Sequence, residues 1–129
     1  MMRTLGRSGI EVSAVGVGCW AIGGPLRAGG QQFGWGPVDD EESIAALRRA
    51  YDLGATFFDT ASNYGAGHSE KVLGRALGDR RDRVVIATKW GHTFDEATGE
   101  TMATGRVAPT FKLTVASAEA WIAGGYRKP

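Results

Sequence analysis

At 129 residues the chain has the length of one modest domain, enough to bury a core and too little for two. Its 15 basic and 14 acidic residues are mixed along the sequence and leave a net charge of +1, which excludes the electrostatic footprint of a nucleic-acid or anionic-membrane binder and points to a small-molecule partner. One cysteine, Cys19, excludes an internal disulfide and suits a reducing compartment, so a cytoplasmic location is expected.

Residues 2–12 have the pattern of a short hairpin, with Gly6 and Ser8-Gly9 turning between Arg3-Thr4-Leu5 and Ile10-Glu11-Val12. Val15-Gly16-Val17-Gly18 is apolar at successive positions, which predicts a first strand buried on both faces, with Cys19 and Trp20 at its carboxyl end. The apolar run 14–24 is too short for a membrane span and is diluted by glycine. Arg3 and Arg7 ahead of it suggest a signal segment, but Glu11 and Ser13 break the continuous apolar stretch that such a segment requires. Residues 21–38 are rich in glycine and hold Pro25 and Pro37, so a long irregular loop is expected, either functional or a surface insertion; Phe33 and Trp35 favour packing.

Asp39, followed three residues later by Glu42, opens a helix with a capping-box pattern, and Ile44, Leu47, Ala50 and Tyr51 recur at helical spacing up to Gly54, which suits the position just past the end. Residues 55–59 are the second strand. Residues 69–77 form a second helix with Val72, Leu73, Ala76 and Leu77 inward and Gly78 closing it, and residues 84–89 are the third strand. Two helices joining three apolar strands predict parallel pairing through right-handed crossovers. Beyond them, 91–107 is polar and glycine-containing, 111–122 is alanine-rich and supports a helix, and 124–129 is a loose tail.

Asp59, Tyr64 and Lys89 all fall at the carboxyl ends of predicted strands, where parallel α/β folds bind ligands. Singly, an aspartate there more often caps a turn, and a tyrosine or lysine is more often amphipathic surface. Jointly they suit carbonyl reduction. Hydride transfer to a carbonyl leaves a developing alkoxide that needs a proton donor, and a phenol with an ordinary pKa of about 10 donates reluctantly at neutral pH. An ammonium group about 4 Å away, at an effective dielectric of about 20, favours the phenolate by roughly 4 kcal/mol. A carboxylate beside that ammonium keeps it charged.

The stretch Phe57-Phe58-Asp59-Thr60-Ala61-Ser62-Asn63-Tyr64-Gly65, together with Gly16-Val17-Gly18-Cys19-Trp20, Asp40-Glu41-Glu42-Ser43-Ile44, Ser69-Glu70, Leu73-Gly74, Ala76-Leu77 and Thr88-Lys89, resembles the aldo-keto reductases over residues 2–92. The resemblance implies the first part of a (β/α)8 TIM barrel, an N-terminal hairpin plus βαβαβ over residues 1–106, followed by a divergent, irregular tail over 107–129. Because a whole barrel takes roughly 250 residues, it implies a truncated one, as a premature stop or frameshift would produce. It further implies NADPH-dependent reduction of aldehydes or ketones, with Tyr64 as proton donor, Lys89 as its activator, Asp59 as the lysine's partner, and Gly18, Cys19 and Trp20 beside the nicotinamide and substrate.

The family's fourth site residue, a histidine that helps orient the carbonyl, has no counterpart, since His68 and His92 lie on the second and third βα loops. Most of the dinucleotide-holding loops also fall outside the resemblance. The isolated chain is therefore expected to have little activity and to self-associate through exposed strand edges.

Two alternatives stand beside this one. The first is a non-catalytic fragment or interaction module of the same ancestry. The second is a Rossmann-type binder, because Gly16-Val17-Gly18-Cys19-Trp20-Ala21 fits G-x-G-x-x-A with Asp39 or Asp40 about 20 residues on; Gly23-Gly24-Pro25 would break the helix that this motif must open. Two histidines and one cysteine far apart do not make a metal site. Trp20, Trp35 and Trp90 either line a cleft or close a core edge, and Cys19 has the character of a small buried hydrophobe rather than a nucleophile.

Overall fold

The structure, a computed structural model, describes residues 1–89, 91–95, 97–102 and 114–115. Strands β1 (Met2–Thr4) and β2 (Glu11–Ser13) form the N-terminal hairpin, and β3 (Val17–Gly18) follows. Next come a 3-10 turn at Ala21–Gly23, strands β4 (Leu26–Ala28) and β5 (Gln31–Phe33), helix α1 (Asp40–Asp52), β6 (Phe57–Asp59), helix α2 (His68–Leu77), a 3-10 segment at Gly78–Arg83, and β7 (Val85–Thr88). Three short strands complete the described elements: β8 (Thr93–Phe94), β9 (Glu100–Met102) and β10 (Thr114–Val115).

Both ends of α1 are written into its sequence. Asp39 Oδ1 accepts the Glu42 amide at 2.8 Å, and Asp40, Glu41 and Glu42 place negative charge at the positive end of the helix. At the other end the Ala55 amide reaches Ala50 O at 3.0 Å and the Gly54 amide reaches Tyr51 O at 2.8 Å. Gly54, at φ +96°, supplies the left-handed residue that this paired stop requires. Arg48 then crosses to α2, where its Nε lies 3.1 Å from Ala76 O and its Nη2 lies 3.3 Å from Arg75 O, satisfying carbonyls of the last turn.

The main sheet has the order β10-β7-β6-β3, and β3, β6 and β7 run parallel as the βαβαβ pattern predicts. Phe58 and Ile86 from the strands, Ile44 and Leu47 from α1, and Val72, Leu73 and Leu77 from α2 close one core around Cys19. The hairpin is clamped to this sheet by a reciprocal exchange, the Ser13 amide donating to Thr56 Oγ1 and the Thr56 amide to Ser13 Oγ, each at 2.9 Å.

Several expectations are corrected. Val15 is 76% exposed and Gly16 and Gly18 are also exposed, so the first strand is not buried on both faces. Among the described residues β3 has a neighbour only on its β6 side, and the Phe57 ring, whose Cδ1 would lie 2.7 Å from a Cβ on Gly16, covers the backbone where a side chain would otherwise pack.

Residues 21–38 are not a structureless loop. Gly29 and Gly30, at φ +58° and +74°, form a two-residue turn between β4 and β5, the backbone twist that favours a tight hairpin. This hairpin joins β9 and β8 in a second sheet, order β5-β4-β9-β8, so the polar stretch after residue 90 contributes two strands to it.

Gly78 does close α2, as expected, capping it at φ −57°, ψ −37° and leading directly into the 3-10 segment. Within the tail expected to be irregular, and inside the helix expected at 111–122, Thr114 and Val115 instead pair antiparallel with Thr88 and Ala87. Two β-branched residues beside an available strand edge prefer that ladder to a helix. The rest of that helix, the 124–129 tail and Trp90 lie outside the described residues.

Two predictions follow from this packing. A Cβ on Gly65, which sits at φ +57°, would fall 1.9 Å from Gly23 O, whereas one on Gly78 meets nothing within 4 Å. Gly65→Ala should therefore destabilise the fold by more than about 1 kcal/mol and Gly78→Ala should stabilise it by about 0.4–1 kcal/mol, both read from urea midpoints.

Burial pushes the fully buried Cys19 thiol up to about 12, the Asp59 carboxylate adding to the effect and Lys89 opposing it. Above about pH 9 an unfolded chain sheds this proton while the folded one keeps it, so stability should fall as pH rises from about 9 toward 12. The native thiol should also resist Ellman's reagent at pH 8 until denaturant is added. Prompt labelling of the folded chain would show that Cys19 is open.

Candidate active site

Parallel pairing brings the carboxyl ends of three strands to one level, Gly18 opposite Asp59 and Asp59 opposite Ala87. Hydrogen bonding continues past the strands. The Cys19 amide donates to Asp59 O at 2.8 Å, the Thr60 amide to Ala87 O at 2.8 Å, and the Ser62 amide to Lys89 O at 3.0 Å. The segments carrying Asp59 and Lys89 are thus held side by side by main chain alone.

The Lys89 ammonium donates to Asp59 Oδ1 at 2.5 Å and to Thr60 O at 2.8 Å, and it sits 5.2 Å from the centre of the Tyr64 ring, within cation–π range. Its side chain is 25% exposed, so these oxygens replace much of the water it gives up. Tyr64 arrives on the loop after β6. Its amide donates to Ala61 O and its carbonyl accepts from the Ser69 amide, both at 3.2 Å. Gly65, the next residue, lies against the backbone of Gly23 and anchors the loop to the 3-10 turn. The structure therefore brings together the acid, the phenol and the amine that the sequence singled out.

Gly18 and Trp20 lie exposed at the end of β3, the latter at 43%, while the Cys19 side chain is sealed in the core. What Cys19 offers at the strand end is therefore backbone. The G-x-G-x-x-A pattern is followed only by the three-residue 3-10 turn, not by the helix a Rossmann site needs. His68 Nε2 lies 2.8 Å from Asp40 Oδ1, and Asp40 also receives Arg75 at 3.0 Å, so this histidine ties α2 to α1. His92 is exposed, and Trp35, 84% exposed, lines no part of the cluster.

Four residues beneath the cluster escaped assignment of a role from the sequence. Ser69 Oγ donates to Cys19 O at 2.8 Å and lies 3.0 Å from Thr60 Oγ1. Thr88, next to Lys89, donates its hydroxyl to Glu70 Oε1 at 2.5 Å. Burial pushes the Glu70 carboxyl above its ordinary range, and the Thr88 hydroxyl opposes that shift. The signal for all four was polarity in an apolar setting: Thr60 follows β6, Thr88 ends β7, and Ser69-Glu70 lies in the first turn of an inward-facing helix.

The sequence profile described as the aldo/keto reductase family matches residues 25–113. Among curated proteins, the aldo-keto reductase YhdN of Bacillus subtilis is 44% identical over 84 residues, which cover 64% of this chain and 23% of that protein. Among solved structures, the holo form of the aldo-keto reductase AKR11C1 from Bacillus halodurans superposes with a TM-score of 0.60 at 29% identity, covering 74% of this chain and 27% of the other. An aldo-keto reductase from Klebsiella pneumoniae in complex with NADPH superposes at 0.50 with 35% identity, covering 62% of this chain and 24% of the other. The chain spans about a quarter of the length of the curated relatives it matches. With three parallel strands, two crossover helices and an N-terminal hairpin in the order of the first part of the (β/α)8 barrel, the chain belongs to the aldo/keto reductase family.

Proposed function

We propose that Asp59, Tyr64 and Lys89 are the proton-delivering part of a site that reduces aldehydes or ketones to alcohols with NADPH. What supports this most directly is the Lys89 ammonium, 2.5 Å from Asp59 Oδ1 and 5.2 Å from the Tyr64 ring centre. Tyr64 Oη gives its proton to the carbonyl oxygen as negative charge develops there. The Lys89 ammonium stabilises the phenolate left behind, and Asp59 holds Lys89 charged and oriented.

The residues at the strand ends fit a flat nicotinamide. Gly18 has no atom within 4 Å of where a side chain would begin, and the exposed Trp20 indole stands two residues on. Bound there, the dinucleotide supplies the hydride to the carbonyl carbon. The Klebsiella relative's complex supports NADPH as the donor. A cytoplasmic setting, and self-association through the outer edge of β3, which has no partner strand among the described residues, belong to the same proposal.

Hydride transfer needs both reactants held in place, and a misplacement of about 1 Å costs on the order of 10²-fold. Matching 23% of the Bacillus subtilis relative, the chain by itself is proposed to have little reductase activity.

Completed with the remainder of that relative, the chain should reduce 4-nitrobenzaldehyde with NADPH, and Tyr64→Phe should lower kcat by about 10²–10⁴-fold with cofactor affinity largely kept. Unchanged turnover would remove Tyr64 from the chemistry. Titrating NADPH fluorescence with the isolated chain should give no saturable binding coupled to aldehyde turnover. Turnover by the chain alone would refute its proposed inactivity.

A further inference from the structure

We infer that Ser69 is a positioning residue for the Asp59–Lys89 pair and the Tyr64 loop, an inference that rests on reading this cluster as the proton-delivering site. Ser69 is fully buried in the first turn of α2. A serine hydroxyl carries one proton, and here it goes to Cys19 O at 2.8 Å. The Thr60 hydroxyl, 3.0 Å away, is therefore the donor to Ser69 Oγ. The chain of donation runs from Thr60 through Ser69 to Cys19, and the Ser69 amide separately donates to Tyr64 O at 3.2 Å. One small residue thus joins the ends of β3 and β6 to the Tyr64 loop.

Each of those contacts lies one link from the ion pair. The Thr60 carbonyl is the second acceptor of Lys89 Nζ, at 2.8 Å, and the Cys19 amide donates to Asp59 O at 2.8 Å. A shift of either backbone moves an oxygen on which the ammonium depends or the residue that carries the carboxylate. Close packing fixes Ser69 itself: a Cβ on Gly23 would lie 2.7 Å from the Ser69 amide nitrogen and 2.8 Å from its Cβ. A serine that merely filled space would leave the Lys89 ammonium unaffected in any variant that folds.

The test follows the Lys89 side-chain ammonium by ¹⁵N NMR in the 129-residue chain, with its resonance assigned by loss in Lys89→Met. Held by two oxygens, the ammonium should exchange slowly with water in the wild type. Thr60→Val keeps the shape of the residue and the Ser69–Cys19 bond but removes the donor to Ser69, while Ser69→Ala removes both hydroxyl bonds and leaves the amide bond to Tyr64 O. Both should speed exchange about tenfold or more, with backbone amides remote from the site unchanged.

If Ser69→Ala does not fold, Thr60→Val decides. A folded variant with unchanged Lys89 exchange and chemical shifts overturns the inference and leaves the proposed function standing. A wild type with no protected Lys89 ammonium overturns both.

Discussion

A lysine whose side chain is three-quarters withdrawn from water needs its ammonium solvated largely by protein, and for Lys89 that solvation comes from across a strand boundary. The lysine follows β7, while its two acceptors, Asp59 Oδ1 and Thr60 O, stand at the end of β6. The ion pair therefore exists only in the observed parallel register, Asp59 level with Ala87. A slip of one residue would turn Asp59 to the opposite face of the sheet and leave a partly buried cation without its counter-charge. The site and the sheet specify each other.

The helices serve that register from below. Leucines, valine and isoleucine from α1 and α2 press on Phe58 and Ile86, the residues just ahead of Asp59 and Ala87, so hydrophobic burial fixes the height of the strands. The polar residues of α2 then act at the strand ends, Ser69 on β3 and β6 and Glu70 on β7 through Thr88. Gly23 and Gly65 let the 3-10 turn and the Tyr64 loop approach more closely than any side chain allows. Apolar packing sets position along the strands, and hydrogen bonds set position between them.

Much of this was legible in the residues. Asp39, Glu42 and Gly54 marked both ends of α1 because capping is local chemistry, and the apolar strands alternating with amphipathic helices announced a parallel sheet. The Asp59, Tyr64 and Lys89 cluster followed once strand ends were known. Glycine abundance hides the hairpin of β4 and β5, because Gly29-Gly30, which by composition signals a loop, is the turn that makes the structure. The exposure of Val15 is not legible locally, because its burial depends on neighbours that its own sequence does not name. Ser69 gives little away for a similar reason: a serine at the start of a helix has the same local pattern whether it faces water or two strand ends and a loop.

The antiparallel strand β10 carries a further consequence. A strand edge has one row of donors and acceptors, and the outer edge of β7 has spent part of its row on Thr114 and Val115. Any parallel strand seeking that side of β7 must evict this pairing before it can form its own. Growth of the sheet beyond β7 is consequently an exchange reaction between two mutually exclusive ladders, with a barrier set by the rupture of the resident one.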